Sequence, residues 1–351
     1  MGTLYENEAY LQDLARICDA DLPWERLTDA TVLITGATGM IGSMLADALL
    51  FQGIGTRVYA IGRSIKRLQA RFEGAFEPQC LHLVECDVNQ GLPEDLPRAD
   101  YVIHAASNTH PLAYSTDPIG TIATNTKGLE NLLSFAAKTK AQRFEFLSSV
   151  EVYGQNRGDV ELFAEDYCGY IDCNTLRAGY PESKRLGEAL CQAYIKQEGL
   201  DVVIPRLSRV YGPTLLESDT KALSQFLKKG LAHEDIVLKS EGTQKFSYTH
   251  CADAVGALLV CLLEGECGAA YNVADPGSDV TLRELAESIA EHAGTKVVFQ
   301  LPSETERAGY STATKAMMDG SKLKALGWQP HYTIGEGIKQ TLLVMGQLKA
   351  K

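Results

Sequence analysis

The sequence predicts an α/β fold in which a doubly wound parallel sheet is joined to a smaller C-terminal α/β lobe. Short β-branched and apolar runs, which are typical of buried strands, occur at residues 31–35, 58–61, 81–84, 101–104, 144–147 and 202–204. Helical patterns separate most of these runs, for example at residues 41–50, 119–138 and 183–197. This alternation indicates parallel pairing, because parallel neighbours need crossover connections. Beyond about residue 206 the elements shorten, so we expect the lobe to lie over the carboxyl edge of the sheet.

Composition and charge exclude several classes of protein. No apolar stretch reaches about 18 residues, which argues against a membrane span. The net charge of -12 argues against a nucleic-acid partner, since such surfaces carry basic stripes. The first ten residues lack a secretory pattern, and the nine cysteines, an odd number, do not resemble a disulfide framework. We therefore expect reduced thiols and a cytoplasmic protein.

A glycine-rich turn follows the first strand. Residues 36–42 read GATGMIG and precede a helical pattern. Glycines at this spacing permit a tight turn and let backbone N–H groups approach a pyrophosphate at the helix N-terminus. We predict that a dinucleotide contacts Gly36, Thr38, Gly39, Met40, Ile41 and Gly42. The alternative is a strand–helix turn without a ligand.

Two further residues bear on the nucleotide. After the second strand, an acidic residue favours NAD and a cation favours NADP; this chain has Arg63, which on its own favours NADP. Alternatively, Arg63 stacks on adenine or is an exposed charge at a helix start. Asp87, after the third strand, is placed to accept a hydrogen bond from the adenine amino group, or else is an ordinary turn aspartate.

A tyrosine and a lysine mark the reaction centre. Tyr180 and Lys184 are four residues apart and so share one helical face. An ammonium lowers the pKa of a neighbouring phenol, which would let Tyr180 remove a hydroxyl proton as hydride leaves the carbon. Ser149, about thirty residues earlier, supplies a hydrogen-bond partner for the same oxygen.

Taken in order, these motifs resemble the extended short-chain dehydrogenase/reductase family of nucleotide-sugar epimerases and dehydratases. The likeness spans about residues 31–340 and includes the glycine turn, Asp87, residues 104–107 (HAAS), Ser149 with residues 152–154 (VYG), Tyr180 with Lys184, residues 205–213 (PRLSRVYGP) and residues 326–330 (LGWQP). It implies a Rossmann-type fold, tightly bound NAD(P) and a homodimer formed through helices around residues 121–138 and 183–198. NAD follows from the resemblance, and NADP stays possible because of Arg63.

The resemblance also implies residue roles and boundaries. Besides the turn, Arg63 and Asp87, the cofactor would contact Val88, Ala105, Ala106, Ser107, Asn125, Tyr180, Lys184, Pro205 and Leu207. The substrate would contact Asn108, Glu151, Arg209 and Lys245. We expect a helical extension over residues 1–30, an NAD(P)-binding domain over residues 31–205 plus about 236–275, and a substrate-binding lobe over residues 206–235 and 276–351.

Within this family the chain is most similar to UDP-glucuronate decarboxylases, at residues 118–128, 149–154 and 177–185. Glu151 matters most, because related dehydratases and decarboxylases carry an acid two residues after the catalytic Ser or Thr. With Ser149, Tyr180 and Lys184 it completes the predicted catalytic set. Tyr180 would deprotonate a sugar hydroxyl, which we expect at C4, and the resulting ketone would permit decarboxylation, dehydration or epimerisation before hydride returns. Alternatively, Glu151 only stabilises a turn.

Two positions depart from the family pattern. Arg209 stands where the family usually has an asparagine that contacts the diphosphate, and Phe246 stands where it usually has an arginine. Lys245 is adjacent, but neighbouring side chains of a strand face opposite ways. Arg209 can offset the missing cation by binding phosphate. Alternatively, the nucleotide, or even the whole diphosphate, differs. These departures leave two alternatives open: a net NADP-dependent reductase or dehydrogenase of a small carbonyl or alcohol, and an inactive Rossmann binding protein.

Metal binding is not predicted. His250 and Cys251 are two adjacent candidate ligands without a third and fourth.

Overall fold

The predicted strands assemble into one large parallel sheet. The computed structural model describes residues 3–109, 116–216, 218–300 and 314–350. Within these residues the sheet consists of β1 (Thr31–Thr35), β2 (Arg57–Gly62), β3 (Leu81–Glu85), β4 (Tyr101–His104), β5 (Arg143–Phe146), β6 (Ser148–Ser149), β7 (Val202–Leu207) and β11 (Ala270–Val273). Its order is β3-β2-β1-β4-β5-β7-β11, and β6 pairs with the end of β7. The winding direction reverses between β1 and β4, so a crevice opens at their carboxyl ends. The predicted fold class is confirmed.

Helices cover both faces of this sheet. They are α1 (Glu8–Cys18), α2 (Met40–Phe51), α3 (Ile65–Arg71), α4 (Pro118–Ala123), α5 (Leu129–Thr139), α6 (Gly179–Glu198), α7 (Ala222–Leu231), α8 (Cys251–Glu264), α9 (Leu282–Ala293), α10 (Ser321–Lys324) and α11 (Ile334–Ala350). Successive strand residues point to opposite faces. Accordingly, Val32 and Ile34 pack with α2 and α8, whereas Leu33 packs with α5. Within the described residues, no helix has the length and apolarity needed to cross a lipid bilayer.

The smaller lobe has its own strands and core. In it, β8 (Arg209–Tyr211), β10 (Lys245–His250), β12 (Asp279–Thr281) and β14 (Lys315–Ala316) form one sheet, and β9 (Ile236–Leu238) pairs with β13 (Val297–Phe299). Phe226, Leu285 and Ile338 are buried together between α7, α9 and α11. This lobe follows β7 directly in the chain, which brings it to the carboxyl edge of the sheet.

The strand pairing differs in one respect from the predicted boundaries. Residues 251–273 pack on or join the large sheet, but β9 and β10, at residues 236–250, pair with strands of the lobe. Hydrophobic alternation shows that a strand exists but not which distant strand pairs with it. Residues 1–2, 217, 301–313 and 351 of the predicted extension and lobe lie outside the described residues. The division into domains stays a prediction.

The N-terminal segment contacts both parts of the molecule. In α1, Tyr10, Leu14 and Ile17 are buried, as their helical spacing predicts. The Tyr10 hydroxyl donates to Asp47 of α2, and Asp13 accepts from Tyr332, close to α11. The extension therefore packs across the cofactor-side helix α2 and the C-terminal part of the lobe.

Candidate active site

The glycine turn is shaped by close backbone contacts. Gly36 has φ +67°, and a Cβ there would lie 2.8 Å from the backbone of Ala105 and Ala106. A Cβ at Gly42 would lie 2.6 Å from the Gly36 carbonyl oxygen. Both positions therefore need glycine, which holds the end of β1 against the residues that follow β4.

The N-terminus of α2 is suited to bind an anion. It begins after Gly39, with no side-chain cap and no acidic residue in its first turn. A Cβ at Gly39 would meet only the Gly36 carbonyl, at 3.1 Å. Backbone N–H groups of a first helical turn have no intrahelical acceptor and lie at the positive end of the helix dipole. The predicted contacts Thr38, Met40 and Ile41 are partly exposed here, so the turn fits the pyrophosphate of a dinucleotide.

The predicted nucleoside contacts lie at the ends of β2 and β3. Arg63 is exposed and makes no hydrogen bond or ion pair with a described residue. Asp87 Oδ1 accepts from the Asn89 amide at 3.0 Å, so the turn role that we considered as the alternative is present. The Val88 carbonyl accepts from Asn131 Nδ2 at 2.7 Å. Contacts of these residues with adenine stay predictions.

A polar chain joins the end of β4 to α6. The Ala106 amide donates to Thr35 Oγ1 at 3.2 Å, and the Ser107 hydroxyl donates to Asn125 Oδ1 at 2.9 Å. Asn125 in turn donates to Ser183 Oγ at 3.0 Å. It lies in a π-helical turn at Thr124–Gly128, an irregularity that is frequent at functional sites. Asn125 therefore links the predicted cofactor site to the helix of Tyr180.

Ser149, Tyr180 and Lys184 come together at the carboxyl edge of the sheet. Tyr180 and Lys184 lie in the first two turns of α6 and are 6% and 2% exposed. Ser149 ends β6 and is hydrogen-bonded to the Tyr180 phenol. Lys184 Nζ donates to the Leu147 carbonyl at 2.6 Å and lies 4.5 Å from the centre of the Phe146 ring. The structure thus assembles the three predicted catalytic residues.

The pKa of Tyr180 differs from the expectation. Burial raises the pKa of this phenol above its ordinary value, Glu151 raises it further, and the hydrogen bond from Ser149 lowers it. Burial also lowers the pKa of Lys184 to about 7, against the influence of Glu188. The expected net lowering of the phenol pKa by Lys184 is therefore absent, because desolvation disfavours both charged forms in this buried pair.

Glu151 lies beside this group. It belongs to a 3₁₀ turn at Val150–Tyr153, is exposed, and its amide donates to Ser149 Oγ at 3.3 Å. Besides burial, its charge contributes to raising the pKa of the Tyr180 phenol. An exposed carboxylate is thus within electrostatic range of the phenol. The other predicted substrate contact nearby, Asn108, is partly exposed close to the end of a described stretch.

Pro205 and Leu207 lie in β7, close to the point where this strand changes its pairing partner. The partner of β7 is β5 up to Val203 and β6 from Arg206 onward. Pro205 lies between these two paired segments. Its missing N–H therefore does not remove a hydrogen bond between strands on that side of β7. Leu207 pairs with Ser149. These two predicted cofactor contacts therefore lie on the strand that pairs with β6, the strand of Ser149.

The predicted substrate contacts in the lobe lie on neighbouring strands. Arg209, in β8, stacks on Phe246 of β10, with the guanidinium carbon 3.6 Å from the ring centre. Lys245 is next to Phe246 in β10 but lies within electrostatic range of Asp279 and Glu284. The two departures from the family pattern are thus in direct contact with each other.

Sequence reasoning missed a partly buried ionic network that joins α6 to β6 and β7. The Ser148 hydroxyl donates to Glu188 at 2.6 Å, and Arg206 forms an ion pair with Glu188 at 2.6 Å. Arg206 also donates to the Tyr153 hydroxyl at 2.9 Å. The available signal was the spacing of Glu188, four residues after Lys184, on the same helical face.

The described residues contain no cluster of three or more His, Cys, Asp or Glu side chains that could hold a metal ion. His250 instead accepts a hydrogen bond from the Ala252 amide at 3.3 Å and caps α8.

Known proteins are similar to this chain in sequence and in fold. The chain is 30% identical over 312 residues to UDP-glucuronic acid decarboxylase 1 of Danio rerio, which covers 89% of this chain and 71% of that protein. It is 30% identical over 308 residues to UDP-glucuronic acid decarboxylase 6 of Arabidopsis thaliana, covering 88% of this chain and 86% of that one.

Among solved structures, UDP-glucose 4-epimerase of Thermotoga maritima superimposes with a TM-score of 0.76 at 22% identity, over 92% of this chain and 100% of that chain. At this identity the likeness concerns the fold. The sequence pattern of one family matches residues 32–274, which contain the glycine turn and the Ser149, Tyr180 and Lys184 group. The chain belongs to the NAD dependent epimerase/dehydratase family.

Proposed function

We propose that this protein is an NAD-dependent enzyme that modifies a nucleotide sugar by transient oxidation at C4, and that it decarboxylates UDP-glucuronate. The observation that carries the proposal is the grouping of Ser149, Tyr180 and Lys184, with the Glu151 carboxylate within electrostatic range of the phenol. The relatives named as UDP-glucuronic acid decarboxylases, which match along most of the chain, support the choice of substrate.

The chemistry divides between the cofactor and the side chains. The glycine turn at residues 36–42 would hold NAD, which when bound would supply the hydride acceptor for the sugar and the hydride for the later reduction. Tyr180 removes the proton of the C4 hydroxyl, and Ser149 donates a hydrogen bond to the same oxygen. The Ser149 hydrogen bond lowers the phenol pKa, which opposes the effect of burial and favours the tyrosinate that this step needs. Lys184 donates a hydrogen bond to the Leu147 carbonyl and lies one helical turn after Tyr180.

Glu151 serves the second half of the reaction. A C4 ketone makes the neighbouring C5 carboxylate a β-keto acid, so its C–C bond breaks and the electron pair moves to the ketone oxygen. CO₂ leaves, and C5 must then regain a proton. Glu151 is exposed and lies within electrostatic range of the phenol, and we assign its carboxyl group to this proton movement.

The test is product analysis of the purified full-length chain with UDP-glucuronate. We expect release of CO₂ and a UDP-pentose detected by mass spectrometry, without net consumption of NAD. A product of unchanged mass would show epimerisation, and loss of water would show dehydration. Net oxidation or reduction with release of the cofactor would instead support the reductase reading.

We also propose that NAD, rather than NADP, is the working cofactor. The family is NAD dependent, which supports NAD, whereas the exposed Arg63 that follows β2 favours NADP on its own. Thermal shift with each dinucleotide tests this assignment, and we expect the larger stabilisation with NAD. A larger shift with NADP, lost in Arg63→Ala, would reverse it.

A homodimer is the assembly that we propose. Ile119 in α4, Leu176 before α6 and Leu186 in α6 are 81%, 72% and 55% exposed. Leu176 and Leu186 line one groove with Pro118 and Ile122. Such an apolar surface marks an interaction site, and it lies on the helices at which the family resemblance predicts pairing. A cytoplasmic location stays a prediction.

A further inference from the structure

Three consecutive residues, which lead into and form β6, are each bound by a residue of α6. The pairs are Leu147 with Lys184, Ser148 with Glu188, and Ser149 with Tyr180. The three helix residues are spaced four apart and therefore lie along one face of α6. Two of the pairs contain a catalytic residue of α6, whereas the pair of Ser148 with Glu188 contains none. This third contact nevertheless helps to fix the segment of Ser149 on the helix.

Arg206 of β7 holds the Glu188 carboxylate in one orientation. Its Nε donates to Oε1 of Glu188 at 2.9 Å, and its Nη2 donates to Oε2 at 2.6 Å. The two side chains are 13% and 14% exposed. A bidentate contact of this kind fixes the geometry as well as the charge of a carboxylate. The Oε1 atom that Arg206 contacts is also the one that accepts from the Ser148 hydroxyl, at 2.6 Å.

Arg206 is itself fixed by the strands around it. It pairs directly with Ser148 in the ladder of β6 and β7. Its Nη1 donates to the Tyr153 hydroxyl at 2.9 Å and to the Glu165 carbonyl at 2.7 Å. Strand pairing and side-chain contacts therefore place the Arg206 and Glu188 pair against Ser148 from two directions.

Glu188 is also the carboxylate that acts on Lys184. Burial lowers the pKa of Lys184 to about 7, and the charge of Glu188 opposes this. Two other titratable groups interact with Lys184: burial raises the pKa of the Cys191 thiol and lowers the pKa of His104 to about 3, so both are neutral near pH 7. The Tyr180 phenol has a raised pKa. Without the Glu188 carboxylate, Lys184 would lose its charge at a lower pH.

We propose that Glu188 and Arg206 are a positioning pair for hydride transfer: through Ser148 they hold Ser149 at the Tyr180 phenol, and the Glu188 carboxylate keeps Lys184 charged. The proposal rests on the function proposed above and adds residues that set the geometry of its catalytic group. A misplacement of about 1 Å can slow an enzymatic step about 10²-fold, so a small shift of β6 against α6 has a large effect.

The experiment follows NAD reduction after rapid mixing of the NAD-loaded, full-length chain with UDP-glucuronate, over a range of pH. Ser148→Ala removes the hydrogen bond between β6 and Glu188 and leaves the ion pair with Arg206 in place. We expect a rate lower by about 10- to 100-fold. UDP affinity, measured by calorimetry, should be unchanged, because neither partner of the lost hydrogen bond is assigned to substrate binding.

Glu188→Gln removes the charge as well as the orientation of Ser148. The charged form of Lys184 favours the tyrosinate, so the rate should fall at the alkaline side of the pH profile, where Lys184 loses its proton. In Glu188→Gln this alkaline limb should move to lower pH. In Ser148→Ala it should stay in place, because the carboxylate is retained. A merely structural role of the pair would not move this limb.

Glu198→Gln is the matched control. Glu198 is exposed at the end of α6, so this variant removes an equal charge from the same helix, ten residues beyond Glu188. We expect its rate and its alkaline limb to match those of the unmodified chain. The thermal midpoint of each variant shows whether it is folded at the temperature of the assay.

Three results would overturn the proposal. Rates of Ser148→Ala and Glu188→Gln equal to that of the unmodified chain would show that the pair only stabilises the fold, and would leave the proposed function intact. Lower rates with an equal loss of UDP affinity and an unmoved alkaline limb would lead to the same conclusion. If the unmodified chain gave no reduced NAD with UDP-glucuronate, both the inference and the proposed function would fail.

Discussion

Glu145 in β5 is a buried carboxyl group in an apolar setting. It is fully buried, and neither carboxyl oxygen has a hydrogen-bond partner among the described residues. Burial raises its pKa well above the ordinary value, and Arg143 opposes this only in part. Because the folded-state pKa is raised, this group favours folding below pH 4.5, its ordinary value, and loses that contribution as pH rises.

Replacing this carboxyl should stabilise the protein at neutral pH. Glu145→Leu removes an unpaired buried polar group, and we expect about 1–3 kcal/mol of added stability, measured as a higher denaturant midpoint at pH 7. The gain should shrink as the pH approaches 4.5. Glu145→Gln keeps a buried amide and should gain less. If the Glu145→Leu variant were less stable than the unmodified chain at pH 7, the Glu145 carboxyl group would have to make favourable polar interactions in the folded protein.

Residue types were easier to predict than residue environments. The spacing of Tyr180 and Lys184 and the preceding Ser149 identified the group that the structure assembles. The sign of the Tyr180 pKa shift was not predictable, because it depends on burial by elements distant in sequence. The Arg209–Phe246 contact could not be predicted either, since it depends on the pairing of β8 with β10.

Among the elements, the glycine turn offers the sharpest test. Gly36 and Gly53 both have φ +67°, but a Cβ at Gly36 meets backbone at 2.8 Å, whereas one at Gly53 meets only the Phe51 carbonyl at 3.9 Å. Gly53→Ala should therefore cost about 1–2 kcal/mol of backbone strain and leave NAD binding unchanged. Gly36→Ala should cost more and should abolish stabilisation by NAD in thermal shift. Equal stabilisation of the two variants by NAD would show that the glycine turn does not bind the cofactor.

Strands and helices with strong local patterns were predictable, and their partners often were not. The strand β1, the glycine turn and α2 followed from residues within one short stretch. The sheet membership of β9 and β10 was set by β12, β13 and β14, which follow them by tens of residues. Single-strand periodicity carries no information about such distant pairing.

At the scale of the whole molecule, the exposed groove beside α4 and α6 bears on assembly. Leu186→Glu places a charge in this groove and should convert a dimer to a monomer in analytical ultracentrifugation. Leu343→Glu is the matched control, because Leu343 is also exposed, at 46%, but lies in α11. We expect it to keep the dimer. Dissociation by both variants, or by neither, would place the interface elsewhere.

The central claim is that Tyr180 starts catalysis by taking the proton of a sugar hydroxyl while NAD is reduced. The most direct measurement is the absorbance of reduced NAD after rapid mixing of the NAD-loaded enzyme with UDP-glucuronate. The account predicts a transient rise with the unmodified chain, and in Tyr180→Phe a rate lower by about 10²- to 10⁴-fold. Retained NAD and UDP binding would show that the variant is folded. An undiminished transient in Tyr180→Phe would contradict the account.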